Sequence, residues 1–404
     1  MNPLLKRNFI FLTLANCLAF CGWVFRNYII NWYVLEKTNS TFMVGLIAAI
    51  PTLIVPFVSP FGGQLADKFS RKTVFFISRA ASLGFFFFLA FFVQIDFYPL
   101  LCIALCFVGI GFTAGFEIAA SRNLILDVVG FKYLTWGNSI TEFVNAFLST
   151  AGPLFMALFF TSTSNTGIFF SMPIVQTLSV IAAFLLFMSF KETKDEKSEE
   201  IDDGLKKDKS ILDGVLYAFR STNIRILLIL SSTLLFWGLS QPLIPKIARD
   251  ALNSGSTGYA ILLSSDAVGC MIGAIALPLF PRIFRNSKAI VFCITAYSLL
   301  FIIFALSKSI LLSVILLALG GFFHLIWFTV IIILIQTISD TDHKGRVVGL
   351  FFTVIQAYGL GFLLGGLLGE LIGITSTIII ASLLSIAIHL VAFGSSREFR
   401  LLKS

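Results

Sequence analysis

Long apolar runs recur along the whole 404-residue chain, and they constrain its fold more than any other feature. A helix needs about 20 apolar residues to cross roughly 30 Å of hydrocarbon. Polar breaks separate twelve such runs: residues 9–34, 42–62, 73–95, 98–121, 134–160, 167–190, 222–243, 257–280, 288–307, 309–336, 346–371 and 373–394. The pattern predicts an all-α membrane protein of about 12 transmembrane helices.

The composition excludes a soluble domain and makes the lipid bilayer the expected partner. Only 12% of the residues are charged and 57% are hydrophobic, whereas soluble domains carry about 25% charged residues. Lys6 and Arg7 precede the first run, as in a signal peptide. That run continues past Trp23 with no small-residue cleavage pattern, so we expect a retained first helix.

A solvated linker divides the runs into two sets of six. Residues 191–209 are dominated by Lys, Glu and Asp and cannot enter lipid. We therefore expect an N-terminal six-helix bundle at 1–190, a cytoplasmic charged linker at 191–212 and a C-terminal six-helix bundle at 213–404.

The distribution of basic residues predicts the orientation. With the N-terminus in the cytoplasm, nearly all of the 29 Lys and Arg residues fall on the cytoplasmic side. Four lie on the opposite side and one lies inside a run: Lys37, Lys246, Arg249, Lys308 and, inside, Arg26. This strong positive-inside bias predicts a multi-pass protein of the inner (plasma) membrane with both termini cytoplasmic. The net charge of +8 thus reflects topology, and no nucleic-acid partner is expected.

The connection after the second run packs opposite charges at a helix end. It places Gly63, Asp67, Arg71 and Lys72 within ten residues. Gly63 permits close backbone approach, and Asp67 is placed to pair with Arg71 or to face a helix N-terminus. We interpret the segment as a conformational latch, although a plain basic loop would also satisfy the topology. Residues 277–288 form a similar corner in the second half, without the Asp.

These residues resemble the signature of the major facilitator superfamily, which places a Gly, an Asp four residues on and an Arg-Lys pair between helices 2 and 3. Asp127, the segment 342–349 with Arg346, and Leu35–Ser40 further resemble the drug:proton antiporter branch that includes macrolide-efflux proteins and the enterobactin exporter. The resemblance implies two six-helix repeats that rock about a central site, with Asp127 and Arg346 in the latch.

One motif of that branch departs from its pattern. Gly152-Pro153 resembles the core of the antiporter motif of exporters, but Met156 and Ala157 stand where the motif has glycines. The direction of transport therefore stays open at this point.

Ionisable residues inside the runs are the candidate site, because a charge in hydrocarbon costs at least about 2.5–3.5 kcal/mol. Glu142, Asp266 and His324 are the candidates for proton coupling or the substrate cavity; Arg26, beside Asn27, is expected to pair with a carboxylate, preferably Glu142, or with an anionic substrate. Satisfied interhelical hydrogen bonds are the alternative for each. Glu117 is expected to join the latch through Arg79 or Arg122. The six cysteines are interpreted as packing residues rather than metal ligands or disulfides.

The preferred hypothesis is a secondary active transporter that works by alternating access. It would export an amphipathic small molecule, a drug or a siderophore, in exchange for protons. A siderophore importer or a lysophospholipid flippase on the same fold is the alternative. We expect a monomer without cofactor. An enzyme is disfavoured because HExxH, GxSxG and Walker A sequences do not occur, and a channel because a charged latch suits alternating access.

Overall fold

The computed structural model describes residues 7–130, 133–162, 167–190, 211–284, 286–340 and 343–402. Gly63 and the side chains of Asp67 and Glu142 also lie outside the described part, as does the predicted linker 191–209. The described chain is helical throughout, without a β-strand, and the all-α prediction is confirmed.

Fifteen helices organise the described chain. The first six are α1 (Arg7–Thr38), α2 (Thr41–Lys68), α3 (Arg71–Gln94), α4 (Pro99–Val129), α5 (Leu134–Ser162) and α6 (Ser171–Ser189). The later helices are α7 (Ile211–Arg220), α8 (Thr222–Ser231), α9 (Thr233–Ser240), α10 (Gly255–Leu279), α11 (Ser287–Leu306), α12 (Ile310–Ile338), α13 (Lys344–Ile355), α14 (Tyr358–Leu371) and α15 (Ile374–Gly394). Shorter turns connect some of them.

Eleven stretches of the described chain are long and apolar enough to cross a membrane. The described part of α5 adds a shorter apolar stretch, Phe143–Phe159, and α5 itself is 29 residues long. Helix α5 is thus long enough to be the twelfth span, in agreement with the predicted number.

Two spans are interrupted. The seventh runs from Thr222 to Ala251 and the eleventh from Arg346 to Leu371. The predicted end of the seventh at residue 243 is too early, because 3₁₀ and π turns carry the helical path past Pro242 and Pro245 to Ala251. Proline removes a backbone donor, and such turns accommodate the loss. The eleventh span is divided into α13 and α14 at Gln356–Ala357.

Packing in the second half repeats that of the first. Helix α4 packs against α2 and α3, and α12 packs in the same way against α10 and α11. Likewise α6 packs on α3 as α15 packs on α11. Helices α2 and α5 of the first half contact α14 and α10 of the second. The contacts therefore follow the internal correspondence that the sequence shows between the two sets.

Glycines set the closest of these contacts. A Cβ added at Gly366 on α14 would lie 2.5 Å from the carbonyl oxygen of Thr41 on α2, and Gly365 faces the backbone of Leu239 on α9. Glycine at such positions lets helix backbones approach closely in a membrane. Helix α14 is therefore held between α2 and α9 by contacts that no larger residue fits.

We predict that Gly366→Val destabilises the folded protein by about 1–3 kcal/mol, the usual cost of overpacking. Gly84 on α3 has no atom within 4 Å of an added Cβ, so Gly84→Val is the matched control for helix propensity. Thermal unfolding of the purified protein in detergent measures both. Equal melting temperatures of the two variants would contradict the close packing of α2 and α14.

Candidate functional site

Arg26 is a buried cation at the centre of the candidate site. Its residue is only 4% exposed, and its guanidinium lies 4.9 Å from the centroid of the Phe107 ring on α4. Nη2 donates to Oδ1 of the adjacent Asn27 at 3.1 Å. Among the described residues no carboxylate pairs with Arg26, and its Nε has no hydrogen-bond partner. A charge-assisted donor of this kind fits a carboxylate, phosphate or other planar anion.

Glu142 is carried by α5, but its side chain is not among those described. The preferred Arg26–Glu142 pair therefore stays a prediction. Helix α5 packs against α1, the helix that carries Arg26, and against α10, the helix that carries Asp266.

Two aromatic residues extend from Arg26 towards the second half. Tyr358, at the start of α14, lies near Arg26 and near Thr52 of α2. The Trp237 ring on α9 lies 5.8 Å from that of Tyr358 and 5.8 Å from that of His324. Trp237 therefore lies between His324 and Tyr358, the residue near Arg26.

Asp266 and His324 are brought together, and Cys270 joins them. Donor atoms of the three side chains all lie within 4.8 Å of one another. Asp266 and Cys270 lie one turn apart on α10, whereas His324 comes from α12. Cys270 was not among the predicted site residues, and its spacing of four from Asp266 is the signal that would have found it.

Arg79 and Glu117 form a second buried charged group. Arg79 is 1% exposed, and its Nη2 donates to Oε1 of Glu117 at 2.6 Å and to Oδ1 of Asn16 at 3.1 Å. Its Nη1 donates to the backbone oxygen of Ala15 at 2.6 Å and to Oγ of Ser179 at 2.7 Å. This network ties α3 to α1, α4 and α6.

The predicted latch residues lie at one end of the bundle, which we call the Arg71 end. Nη1 of Arg71 donates to both carboxylate oxygens of Asp127, at 2.8 and 3.0 Å. Lys72 donates to the backbone oxygen of Phe190 at 2.6 Å. Arg346, on α13, keeps a buried Nη1 without a partner among the described residues.

The opposite end, which carries the α1–α2 connection and which we call the Asn39 end, joins the two halves. Lys246 donates to the backbone oxygen of Asn39 at 3.2 Å, and Arg249 donates to the Asn39 side chain. Oγ of Ser40 donates to Oε2 of Glu370 at 2.6 Å. Within the described residues, the hydrogen bonds between the two halves lie either midway along the helices or towards the Asn39 end. Oγ of Ser264 donates to the backbone oxygen of Thr150 midway along, and Oη of Tyr28 donates to the backbone oxygen of Ser256 at 2.9 Å nearer the Asn39 end.

His389 is a buried residue that the sequence did not single out. Its ring contacts Oγ1 of Thr233, the backbone oxygen of Ser385 and, at 3.3 Å, that of Leu230. Leu230 and Thr233 flank the break between α8 and α9, whereas Ser385 lies one turn before His389 on the same helix, α15. His389 therefore stabilises the interrupted seventh span.

We predict that Glu117→Ala costs about 3–5 kcal/mol, because it leaves the buried Arg79 without its carboxylate. Asp127→Ala removes a partly exposed pair and is expected to cost roughly 0–1 kcal/mol. Unfolding of both variants in detergent, followed by circular dichroism, checks the difference. A loss of equal size in both would show that burial does not set the strength of the Arg79–Glu117 pair.

Comparisons with known proteins agree with this architecture. A family profile described as "Transmembrane secretion effector" matches residues 1–399, and a search among curated protein sequences finds no significant match. Similar solved structures include the nucleoside transporter NupG, with a TM-score of 0.73 and 14% identity, covering 96% of this chain and 99% of that chain. An auto-inhibited POT family peptide transporter has a TM-score of 0.75 and 12% identity, covering 99% and 98%.

A bacterial homolog of the human lysosomal transporter Spinster, in an inward-facing and unoccupied conformation, has a TM-score of 0.73 and 13% identity, covering 98% of each chain. At such identities the likeness shows the fold alone, and it confirms the predicted major facilitator fold of about 12 helices. The profile spans nearly the whole sequence, and the chain therefore belongs to the transmembrane secretion effector family of major facilitator superfamily transporters.

Proposed function

We propose that this chain is a proton-coupled exporter of an amphipathic small molecule that carries an anionic group. The observation that carries the proposal is Arg26, buried on α1 with no carboxylate partner among the described residues. A buried, uncompensated cation is costly in a membrane, and such residues mark substrate or ion pathways. An anionic group of the cargo would pair with the guanidinium, for which the described residues supply no carboxylate.

The surroundings of Arg26 favour an amphipathic cargo. The Phe107 ring lies 4.9 Å from the guanidinium, and the Tyr358 ring packs 5.8 Å from that of Trp237 and 5.3 Å from that of Phe362. Small-molecule sites combine such apolar walls with a few polar groups. Within the resembled branch, an acidic siderophore suits Arg26 better than a macrolide with a protonated amine, because two cations repel each other.

The distribution of contacts supports alternating access. Hydrogen bonds between the two halves lie at mid-depth or near the Asn39 end, whereas the described polar contacts of Arg71 and Lys72 stay within the first half. The excess of Lys and Arg at the Arg71 end indicates that this end faces the cytoplasm. The protein would then lie in the plasma membrane with both termini on the cytoplasmic side. This conformation is then closed to the outside, as an inward-facing exporter awaiting cargo would be.

Proton coupling is assigned to one of Glu142, Asp266 and His324. A buried carboxyl or imidazole group can gain or lose a proton when its exposure to water or its charged neighbours change between conformations. Export agrees with the word secretion in the description of the family profile. An importer of siderophores or a lysophospholipid flippase is the second candidate, since Met156 and Ala157 replace the glycines of the exporter motif.

We predict that Arg26→Gln weakens transport of an anionic siderophore by about 10- to 100-fold, the worth of a hydrogen bond to a charged group. Purified protein in liposomes is supplied with enterobactin and, in parallel, with a macrolide. Arg282→Gln is the control, because that side chain is exposed after α10. Undiminished enterobactin transport by Arg26→Gln would refute the anionic cargo.

We predict that substituting the coupling group abolishes pH-gradient-driven net transport but leaves cargo exchange across the liposome membrane intact. Glu142→Gln and Asp266→Asn are compared in the same liposomes with Asp96→Asn, an exposed residue that pairs with Lys37 at 2.8 Å. Gradient-driven transport at the unmodified rate in both Glu142→Gln and Asp266→Asn would exclude these carboxylates as the coupling group.

A further inference from the structure

The close crossing of α10 and α12 places three metal-ligating side chains around one point. Gly269 faces the backbone of Ala318, and Gly321 faces the backbone of Asp266, at distances that leave no room for a Cβ. This crossing lets Asp266 and Cys270 face His324 across the helix pair. The nearby Sγ of Cys270 lies 3.3 Å from the backbone oxygen of Gly321.

Several polar atoms at this crossing have no hydrogen-bond partner in the described part of the chain. They are Oδ1 of Asp266, Nδ1 of His324 and the hydroxyl of Tyr297, which is a buried residue on α11. Tyr297 lies within electrostatic range of both Asp266 and Cys270. Buried polar atoms are nearly always satisfied. Asp266 and His324 thus bring unpartnered atoms from α10 and α12 to one crossing, where their ligand atoms and that of Cys270 lie within 4.8 Å of one another, and this indicates a missing ligand.

We propose that Asp266, Cys270 and His324 bind a divalent transition-metal ion such as Zn²⁺. The set offers one carboxylate oxygen, one thiolate sulfur and one imidazole nitrogen, which are the ligand types that Zn²⁺ takes. Magnesium and calcium prefer oxygen ligands alone, so the sulfur and nitrogen donors select against them. The site goes beyond the proposed transport function, and its existence does not depend on the cargo.

The spacing of the ligand atoms is close to what the ion requires. Tetrahedral bonds of the usual zinc lengths put ligand atoms about 3.3–3.8 Å apart. The three atoms lie within 4.8 Å of one another, so movements of about 1 Å by rotation of the side chains complete the geometry. Three protein ligands leave a fourth position open to water or to a donor atom of a bound molecule.

The charge balance suits a membrane interior. A divalent cation with one carboxylate and one thiolate forms a neutral group, whereas an ionised Asp266 alone is a buried unpaired charge. Rings of Trp327, Tyr297 and Trp237 surround His324 at 5.5, 5.7 and 5.8 Å. This apolar shell strengthens metal–ligand electrostatics by excluding water.

Metal and protons compete for the same donor atoms, since ligands bind in their deprotonated forms. An occupied site would therefore take Asp266 and His324 out of proton exchange and leave Glu142 as the remaining candidate for proton coupling. Metal binding would thus decide which of the three candidate residues carries the proton that drives transport.

Metal titration of the purified full-length chain in detergent tests the site directly. Co²⁺ should bind with a stoichiometry of one, give thiolate-to-cobalt charge-transfer absorption and quench the fluorescence of Trp327 and Trp237. Zn²⁺ should displace it. Cys270→Ala and His324→Gln should each weaken binding by more than about 100-fold, whereas Cys293→Ala, at a buried cysteine elsewhere on α11, should bind as the unmodified chain does. Binding that is absent from the unmodified chain, or undiminished in both ligand variants, would overturn the proposal.

A second measurement needs no variant and so remains informative if His324→Gln fails to fold. Zn²⁺ should slow the alkylation of Cys270 by a membrane-permeant reagent at least about tenfold, because a thiolate bound to the ion is no longer a free nucleophile. The alkylation of Cys102 should not change. Mass spectrometry measures both rates. Equal alkylation of Cys270 with and without Zn²⁺ would exclude its ligation. Neither measurement involves transport, so failure of the metal site and failure of the export proposal are separable.

Discussion

Lipid offers no hydrogen bonds, and this constraint determines where each polar group in the membrane spans can be placed. Backbone groups are satisfied by helices, and polar side chains must find partners within the protein. Both Nη atoms of Arg79 find such partners, and they tie four helices together through Glu117, Asn16, Ser179 and a backbone oxygen, while its Nε has none among the described residues. Arg26 pairs with no carboxylate among the described residues, and in the Asp266 cluster three potential ligand atoms lie within 4.8 Å of one another, so these are the two places where we propose that a bound species supplies the partner.

The two ends of the bundle divide their polar residues differently. At the Asn39 end, Lys246, Arg249 and Glu370 contact the other half of the molecule. At the Arg71 end, Arg71 uses Asp127 of its own half. Opening of the Asn39 end would break these contacts between the halves, whereas the Arg71–Asp127 pair could stay intact. The polar residues at the Asn39 end would therefore contribute more to the energy of opening than that pair does.

Hydropathy predicted most of the fold, because spans are set by local composition and lipid thickness. Their number, the all-α class and the placement of Arg26 and Asp266 at membrane depth follow from the sequence alone. The partners of these residues do not follow, because helix rotation and crossing are set by tertiary contacts. Cys270 resembled any small packing residue until the Gly269 and Gly321 contacts placed it opposite His324. The pairing of Arg71 with Asp127, 56 residues away in sequence, is equally invisible to local pattern.

The break at Gln356–Ala357 gives the eleventh span a mechanical property that an unbroken helix lacks. Glycine contacts clamp α14 to α2 and α9 along its length, while α13 begins on the other side of the interruption. An interrupted helix bends more easily at the interruption than a continuous helix does. If the two halves move relative to each other, we expect the eleventh span to bend at Gln356–Ala357, because α14 is held to α2 and α9 and α13 is not part of that contact.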